Sequence, residues 1–334
     1  VIVFAPKVSI VIPVFNGANY LREAIDSALA QTYTNIEVLV INDGSDDDGK
    51  TEKIAKSYGE KIRYLYKPNG GVATALNAGI DHAAGDYISW LSHDDLYYPQ
   101  KIETQIAALA AMPSPDTIIY SDYEMIGPDH ALLKAVRLDA PISADLRQTF
   151  LRLLFLASVH GCSLLVPKKC FIDVGYFDAA LRTTQDYDLW FRMLHRHYEF
   201  RHIPEMLIRS RIHSEQGTHS LYGIHHKEAE NLYVDAVNMF YDDIARMHAK
   251  NIVDLVIDLR NRRLKKASQQ LLTLIALRNR PLYKQMYADY GRSLLVSRVK
   301  LVIARPLQLM EGSVNLLKNR LRATLKGLVA HAAS

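Results

Sequence analysis

Three acidic clusters have residue types and spacing that could do chemistry: Asn42 to Asp48 (NDGSDDD), Ser92-His93-Asp94-Asp95, and Thr183 to Arg192 (TTQDYDLWFR). In the first, Asp43 could accept a hydrogen bond from the imide N–H of a pyrimidine base, a charge-assisted bond of the stronger kind. The same residues equally suit a plain strand-to-helix turn. In the second, Asp94 and Asp95 repel one another unless something relieves them. Mg2+ or Mn2+ would do so, since hard cations take carboxylate and phosphate oxygens. The competing reading is an N-terminal cap for the helix after Pro99. In the third, Asp186 at a helix start suits a general base acting on a hydroxyl, or else Asp186 and Asp188 merely cap the helix. Helical geometry aims those two carboxylates at different faces, so they do not share one role.

The elements around these clusters follow from two hydrophobic periods. VSIVIPVF (Val8 to Phe15), IEVLVI (Ile36 to Ile41), IRYLY (Ile62 to Tyr66), YISWL (Tyr87 to Leu91) and TIIYSD (Thr117 to Asp122) read as strands. Helical patterns separate them at Tyr20 to Gln31, after Asp48, at Val72 to Ala84 and after Pro99. Such alternation predicts an α/β domain with a mostly parallel sheet flanked by helices, which binds ligands at the carboxyl ends of its strands. The first two acidic clusters both stand at strand carboxyl ends. Further on, Thr149 to Ala157 and Asp186 to Arg196 read as helices, with GCSLLVP (Gly161 to Pro167) between them, and Ile203 to His213 as extended. From about Ile224 the spacing is helical. Helices are expected over Ile252 to Leu277, Leu294 to Ala304 and Val314 to Val329, with interruptions at Pro281 and Pro306.

The ordered set VSIVIPVFNG, VLVINDGSDD, KPNGGVATALNAGI, GDYISWLSHDDLYYPQKI, GYFDAALRTTQDYDLWFRM and Arg211-Ile212-His213 with Gln216 resembles inverting glycosyltransferases of family two, which have the GT-A fold. The resemblance covers roughly residues 7 to 220. It implies that Pro13, Phe15 and Asn16 lie against a nucleobase read by Asp43, and that Asn77 and Gly79 border the donor, with Lys67 a weaker candidate. It further implies that His93 and Asp94 contact a nucleotide-sugar, that Asp94 and His213 hold the metal with Asp95 in support, and that Asp186 is the base. Gln185 and His160 fall where such enzymes meet the acceptor, although a structural role for His160 is equally expected. Two positions depart from the family pattern, since acids often stand where this chain has Ser92 and Gln185. The implied domains are a GT-A catalytic domain over residues 1–223 (donor half about 1–125, acceptor half about 126–223) and a basic helical region over 224–334.

The implied reaction moves a sugar from a nucleotide-diphosphate sugar, with UDP favoured, to a hydroxyl of a glycan or lipid-linked saccharide. A cell-surface polysaccharide or glycoconjugate would be the product. A nucleotidyltransferase should carry a Gly-rich, basic loop after the first strand, where this chain reads PVFNGANY. A catalytically silent sugar-binding module should lack the base or the metal acid, and both Asp186 and Asp94 are present.

Composition bounds the rest. An apolar fraction of 49% with 23% charged residues is that of an ordinary globular protein. Cys162 and Cys170 have neither metal-ligand spacing nor a disulfide framework, so they read as reduced thiols of a cytoplasmic protein. No apolar run approaches the roughly 20 residues of a membrane span. No leader pattern stands at the start, and a chain opening Val1-Ile2 reads as trimmed or excised from something longer. The net charge of +4 conceals an asymmetry. From Arg260 onward sixteen Lys and Arg face only Asp289 and Glu311, a balance of +14, which leaves −10 before it. Two readings of the basic helices follow: attachment to an anionic face of the cytoplasmic membrane, or packing within the protein or in a homo-oligomer. Nucleic acid is not expected as a partner, for no binding motif accompanies the charge.

Overall fold

In the computed structural model, which describes residues 4–138, 145–214, 216 and 221–296, strand β1 (Val8–Val14) is buried at every position. An apolar run of this kind suits a strand covered on both faces. β2 (Ile36–Asn42) and β4 (Tyr87–Trp90) flank it in parallel, and β3 (Arg63–Tyr66) pairs in parallel with β2. Short β8 (Val166–Pro167) closes the β4 edge antiparallel, giving the order β3-β2-β1-β4-β8. Helix α1 (Leu21–Leu29) buries Leu21, Ala24, Ile25 and Ala28, the face its spacing predicts, and α2 (Lys50–Lys56) follows β2. α3 (Val72–His82) lies so near β1 that a Cβ at Gly79 would stand 2.3 Å from Val11 Cγ1.

A second sheet, not foreseen from the sequence, has the order β5-β9-β6-β7, with β5 (Leu96–Tyr97), β6 (Ile118–Ile126), β7 (Leu132–Val136) and β9 (Phe200–Arg211). The strand read from TIIYSD belongs here, parallel to β9, because β8 already occupies the free edge beside β4. β9 takes up the segment expected to be extended and delivers Arg211 and His213 to the end of β4. Helices α4 (Lys101–Ala110) and α5 (Leu146–Phe155) pack against β9, α7 (Gln185–His195) packs against α5 and α6 (Lys168–Val174), and Asp145 caps α5 by accepting from Arg147 N and Gln148 N.

The chain divides into two compact units, Val1–Met239 and Phe240–Ser334. The boundary falls after the division at 223/224 read from the sequence. Helix α8 (Tyr222–Met239) belongs to the first unit, where Tyr233 Oη donates to Leu154 O at 2.9 Å. The second unit contains α9 (Tyr241–Ala245), α10 (Ala249–Asn261), α11 (Lys265–Arg278) and α12 (Arg280–Val296). Its core includes Ile252, Leu255, Val256, Leu259, Leu271, Leu272, Ile275 and Met286. The single helix expected over 252–277 is two, broken where Arg263 adopts a left-handed φ of 63° and Leu264 N bonds back to Leu259 O at 2.8 Å. Pro281 lies in the first turn of α12 rather than interrupting a helix, a position where its missing N–H costs nothing. The expected helix 314–329 and most of 294–304 lie outside the described residues.

Candidate active site

A cleft of about 1100 Å3 opens at the carboxyl ends of β1, β2 and β4, and all three acidic clusters reach it. One wall comes from the ends of β1 and β2. Asp43 is almost fully buried there. Its Oδ1 accepts from Lys67 Nζ at 2.5 Å and from Gly70 N at 3.1 Å, while Oδ2 accepts from Gly71 N at 2.7 Å. A carboxylate has about four acceptor sites, so roughly one remains for a ligand. Asn16, in the left-handed region at φ 51°, exchanges two hydrogen bonds with Asp46, Nδ2 donating to Oδ1 at 2.6 Å and Oδ1 accepting from Asp46 N at 2.9 Å. Gly44 has φ 73°, and a Cβ there would stand 2.5 Å from Asn69 N, so the turn admits only glycine without strain. Beside these fixed polar groups Phe15, 43% exposed, lines the cleft with a ring that can take a planar ligand.

The floor is the turn after β4. Asp94 Oδ2 and His213 Nε2 lie 2.9 Å apart. Burial pushes the Asp94 carboxyl up, but His93 and the bond from His213 outweigh it and hold the group below its ordinary range. Asp95 goes the other way: burial, then the Asp94 charge, push it well above the carboxylate range. Its Oδ1 accepts from Arg211 N at 2.9 Å and its Oδ2 from Cys162 Sγ at 3.4 Å, with His160 Nε2 3.6 Å from Oδ2. Asp95, His160 and Cys162 thus offer ligand atoms within 4.8 Å of one another. A cation there would need a thiolate, whereas burial keeps Cys162 a thiol. Asp94 with His213 suits a divalent cation better, as a low-pKa carboxylate and an imidazole that both line the open cleft.

Arg211 fastens this turn from below. Fully buried, it donates from Nε to Asp94 O at 3.0 Å, from Nη1 to Pro128 O at 3.0 Å and from Nη2 to Glu23 Oε2 at 2.7 Å. The guanidinium also sits 4.5 Å from the centre of the Tyr20 ring, which in turn lies 5.0 Å from the His213 ring.

The opposite wall is the start of α7. Asp186 Oδ1 accepts from Tyr187 N at 2.9 Å, and burial pushes its carboxyl up to about 6. Asp188 faces elsewhere and binds Arg192 Nε at 2.8 Å, as the helical spacing requires. Gln185 lines the cleft with its Oε1 buried and unpartnered, and Trp90 Nε1 is in the same condition. The Trp90 ring lies against Gly161, where a Cβ would be 2.5 Å from its Cζ3. Trp190 is 2% exposed and belongs to the core, as its helix face predicts.

Pro13, Phe15, Asn16, Asp43, His93, Asp94, His160, Gln185, Asp186 and His213 all line this one cleft. Asn77 and Gly79 do not. Asn77 donates from Nδ2 to Phe177 O at 2.9 Å and accepts Phe177 N at 3.0 Å on Oδ1, while Gly79 serves the approach of α3 to β1. Lys67 holds Asp43 and Thr74 Oγ1. The motif Arg211-Ile212-His213 marks the place of Arg211 without revealing its role, and Trp90 and Arg182 line the cleft with no sequence signal of their own.

Residues 9–162 match the family model described as glycosyl transferase family 2. An uncharacterized glycosyltransferase of Rickettsia prowazekii is 52% identical over 219 residues, covering 65% of this chain and 68% of that protein. The chain belongs to glycosyl transferase family 2. An uncharacterized glycosyltransferase of Rickettsia felis is 51% identical over 231 residues; the match takes in 69% of this chain but 38% of the relative. The chain therefore spans well under half of that longer protein. Among solved structures, S. aureus TarS 1-349 in complex with UDP-GlcNAc is similar with a TM-score of 0.53 at 13% identity, covering 86% of this chain and 92% of that one. A mannosyltransferase from Pyrobaculum calidifontis in complex with GDP-Man and Mn2+ gives 0.52 at 16% identity, covering 88% and 82%. These likenesses establish the GT-A type fold that the two sheets and flanking helices display.

Proposed function

We propose that this family member is an inverting glycosyltransferase that moves a sugar from a UDP-linked donor to a hydroxyl of a glycan or lipid-linked saccharide. The observation that carries the reading is that Asp43, Asp94 and Asp186, distant in sequence, line one cleft on different walls. Phe15 and the remaining acceptor site of Asp43 suit a planar base bearing an N–H. Solved structures of similar fold hold UDP-GlcNAc in one case and GDP-Man with Mn2+ in another, which supports a nucleotide-sugar and a divalent metal here.

Asp186 takes the proton of the attacking acceptor hydroxyl. Its carboxyl, raised to about 6, is mostly ionised at neutral pH yet basic enough to accept a proton. Gln185, next to Asp186 on the same wall, borders the space the acceptor would occupy. Attack on the face away from the diphosphate inverts the anomeric centre, through a transition state like the oxocarbenium of glycoside chemistry. Asp94 and His213 are the residues that would hold Mn2+ or Mg2+. When bound, the cation would supply positive charge to the departing diphosphate. Arg211 keeps the Asp94 turn fixed, so that stabilisation requires little reorganisation.

The reading is tested by nucleoside diphosphate release from a panel of nucleotide-sugars with Mn2+, with Mg2+ and with EDTA. A metal-dependent response to at least one UDP-sugar is expected, and none to any donor would count against it. The basic residues from Arg260 onward suggest contact with anionic lipid near a lipid-linked acceptor. No helix among the described residues is long and apolar enough to cross a membrane. Sedimentation with liposomes, with and without anionic lipid, separates membrane contact from internal or homo-oligomeric packing of those helices.

A further inference from the structure

The turn that carries the base is held from outside its own segment. Thr184, the residue before α7, provides no side-chain cap for that helix. Instead Glu228, on α8 and more than forty positions away, takes the donors of the preceding turn. Its Oε1 accepts from Arg182 N at 2.8 Å. Its Oε2 accepts from Thr183 N at 2.9 Å, Thr183 Oγ1 at 2.8 Å and Thr184 Oγ1 at 3.3 Å. Because Thr183 Oγ1 gives its proton to Glu228, it can only accept from His225, whose Nδ1 lies 3.1 Å away. That contact fixes the His225 tautomer with the proton on Nδ1. Burial alone would raise the Glu228 carboxyl, but these bonds outweigh it and hold the group below its ordinary range. Glu228 is therefore an anion with its acceptor sites filled.

The consequence reaches the cleft. Arg182, Thr183, Gln185 and Asp186 all line it, and all stand within or directly after the clamped turn. The first turn of a helix is where backbone donors lack intrahelical partners and where it frays. A base there must be fixed from elsewhere if its carboxyl is to meet an acceptor hydroxyl at hydrogen-bond distance. We propose that Glu228 is a positioning residue for Asp186: it clamps residues 182–184 so that the base meets the acceptor, while the donor wall forms independently of it. This rests on the assignment of Asp186 as the base. The residues of Glu228 and α8 lie outside the matched family model, which ends at 162.

The test compares E228A, E228Q and D186N in the full chain by transfer kinetics, by donor affinity using UDP as the probe, and by thermal melting. E228A should lose about 10²-fold in kcat, the order of effect expected of a misplaced catalytic group. UDP affinity and donor KM should stay at wild type, since neither Asp43 nor Asp94 depends on the clamp. E228Q keeps one carbonyl oxygen for Thr183 and should recover most of the loss. The proposal is overturned alone if D186N is inactive while E228A turns over normally. It is overturned too if E228A and E228Q lose kcat, UDP affinity and melting temperature together, which is the mark of a general strut. Normal transfer by D186N would remove the base assignment, and the clamp proposal with it.

Discussion

The two walls of the cleft differ in how much of their polarity is already spent. On the donor side Asp43 has three donors on its carboxylate, and Asn16 and Asp46 satisfy each other. On the base side Asp186 accepts one backbone N–H, its carboxyl sits near 6, and neighbouring Gln185 Oε1 has no partner. A wall whose hydrogen bonds are mostly made is rigid before any ligand arrives. A buried carboxylate and an orphaned acceptor are instead costs to folding, retained where chemistry uses them. Stability and reactivity should therefore separate between the walls.

The largest separation is expected from D186N. It should lower transfer by about 10²–10⁴-fold, the usual contribution of a general base, while UDP binding and melting temperature hold or rise. A variant that loses stability as well would erase the contrast. D43A is its mirror. Taking their acceptor from the partly exposed Lys67 ammonium and two backbone N–H groups should cost about 1 kcal/mol each, about 3 kcal/mol together, read by denaturant unfolding. UDP affinity should fall with it. A smaller effect comes from G79A, where the new Cβ meets Val11; overpacking of about 1–3 kcal/mol is expected, with kcat unchanged because Gly79 does not line the cleft.

The smallest effect is in pH. Since the base must be ionised, kcat should fall as pH drops through about 6. For stability the sign is opposite. The folded state binds the Asp186 proton more tightly than the unfolded state, whose group keeps its ordinary value of 3.8. This group's contribution to stability is then present at low pH and is lost as pH rises from about 4 to about 6. Unfolding of wild type and D186N across that window should show the difference, and parallel curves would mean the carboxyl is not perturbed.

How much of this was legible in the sequence depended on the range of the interaction. β1, β2 and β4 were readable because buried parallel strands are continuous apolar runs, and Asp43 and Asp94 because they end such runs. The second sheet was not, since β6 meets β9 across about eighty positions and no local pattern fixes that pairing. Asn77 and Gly79 were misplaced for a related reason: α3 turns them toward the 177 segment and β1, and helical spacing alone does not say which face meets a ligand. Lys101, at the start of the helix after Pro99, carries no sequence signal of burial. It is in fact fully buried, donating to Ser89 Oγ and Gln105 Oε1, with burial pushing its amine down to about 7. The Glu228 clamp joins residues in α8 and the 182–184 turn that share no motif.

The central claim, that one cleft holds a donor on a finished wall and a base on a poised one, is tested most directly by a single comparison. Sugar transfer and UDP binding are measured for wild type and D186N with the same UDP-sugar and Mn2+. The account predicts equal UDP affinity and transfer by wild type alone. Transfer by D186N at the wild-type rate, or loss of UDP binding in that variant, would contradict it.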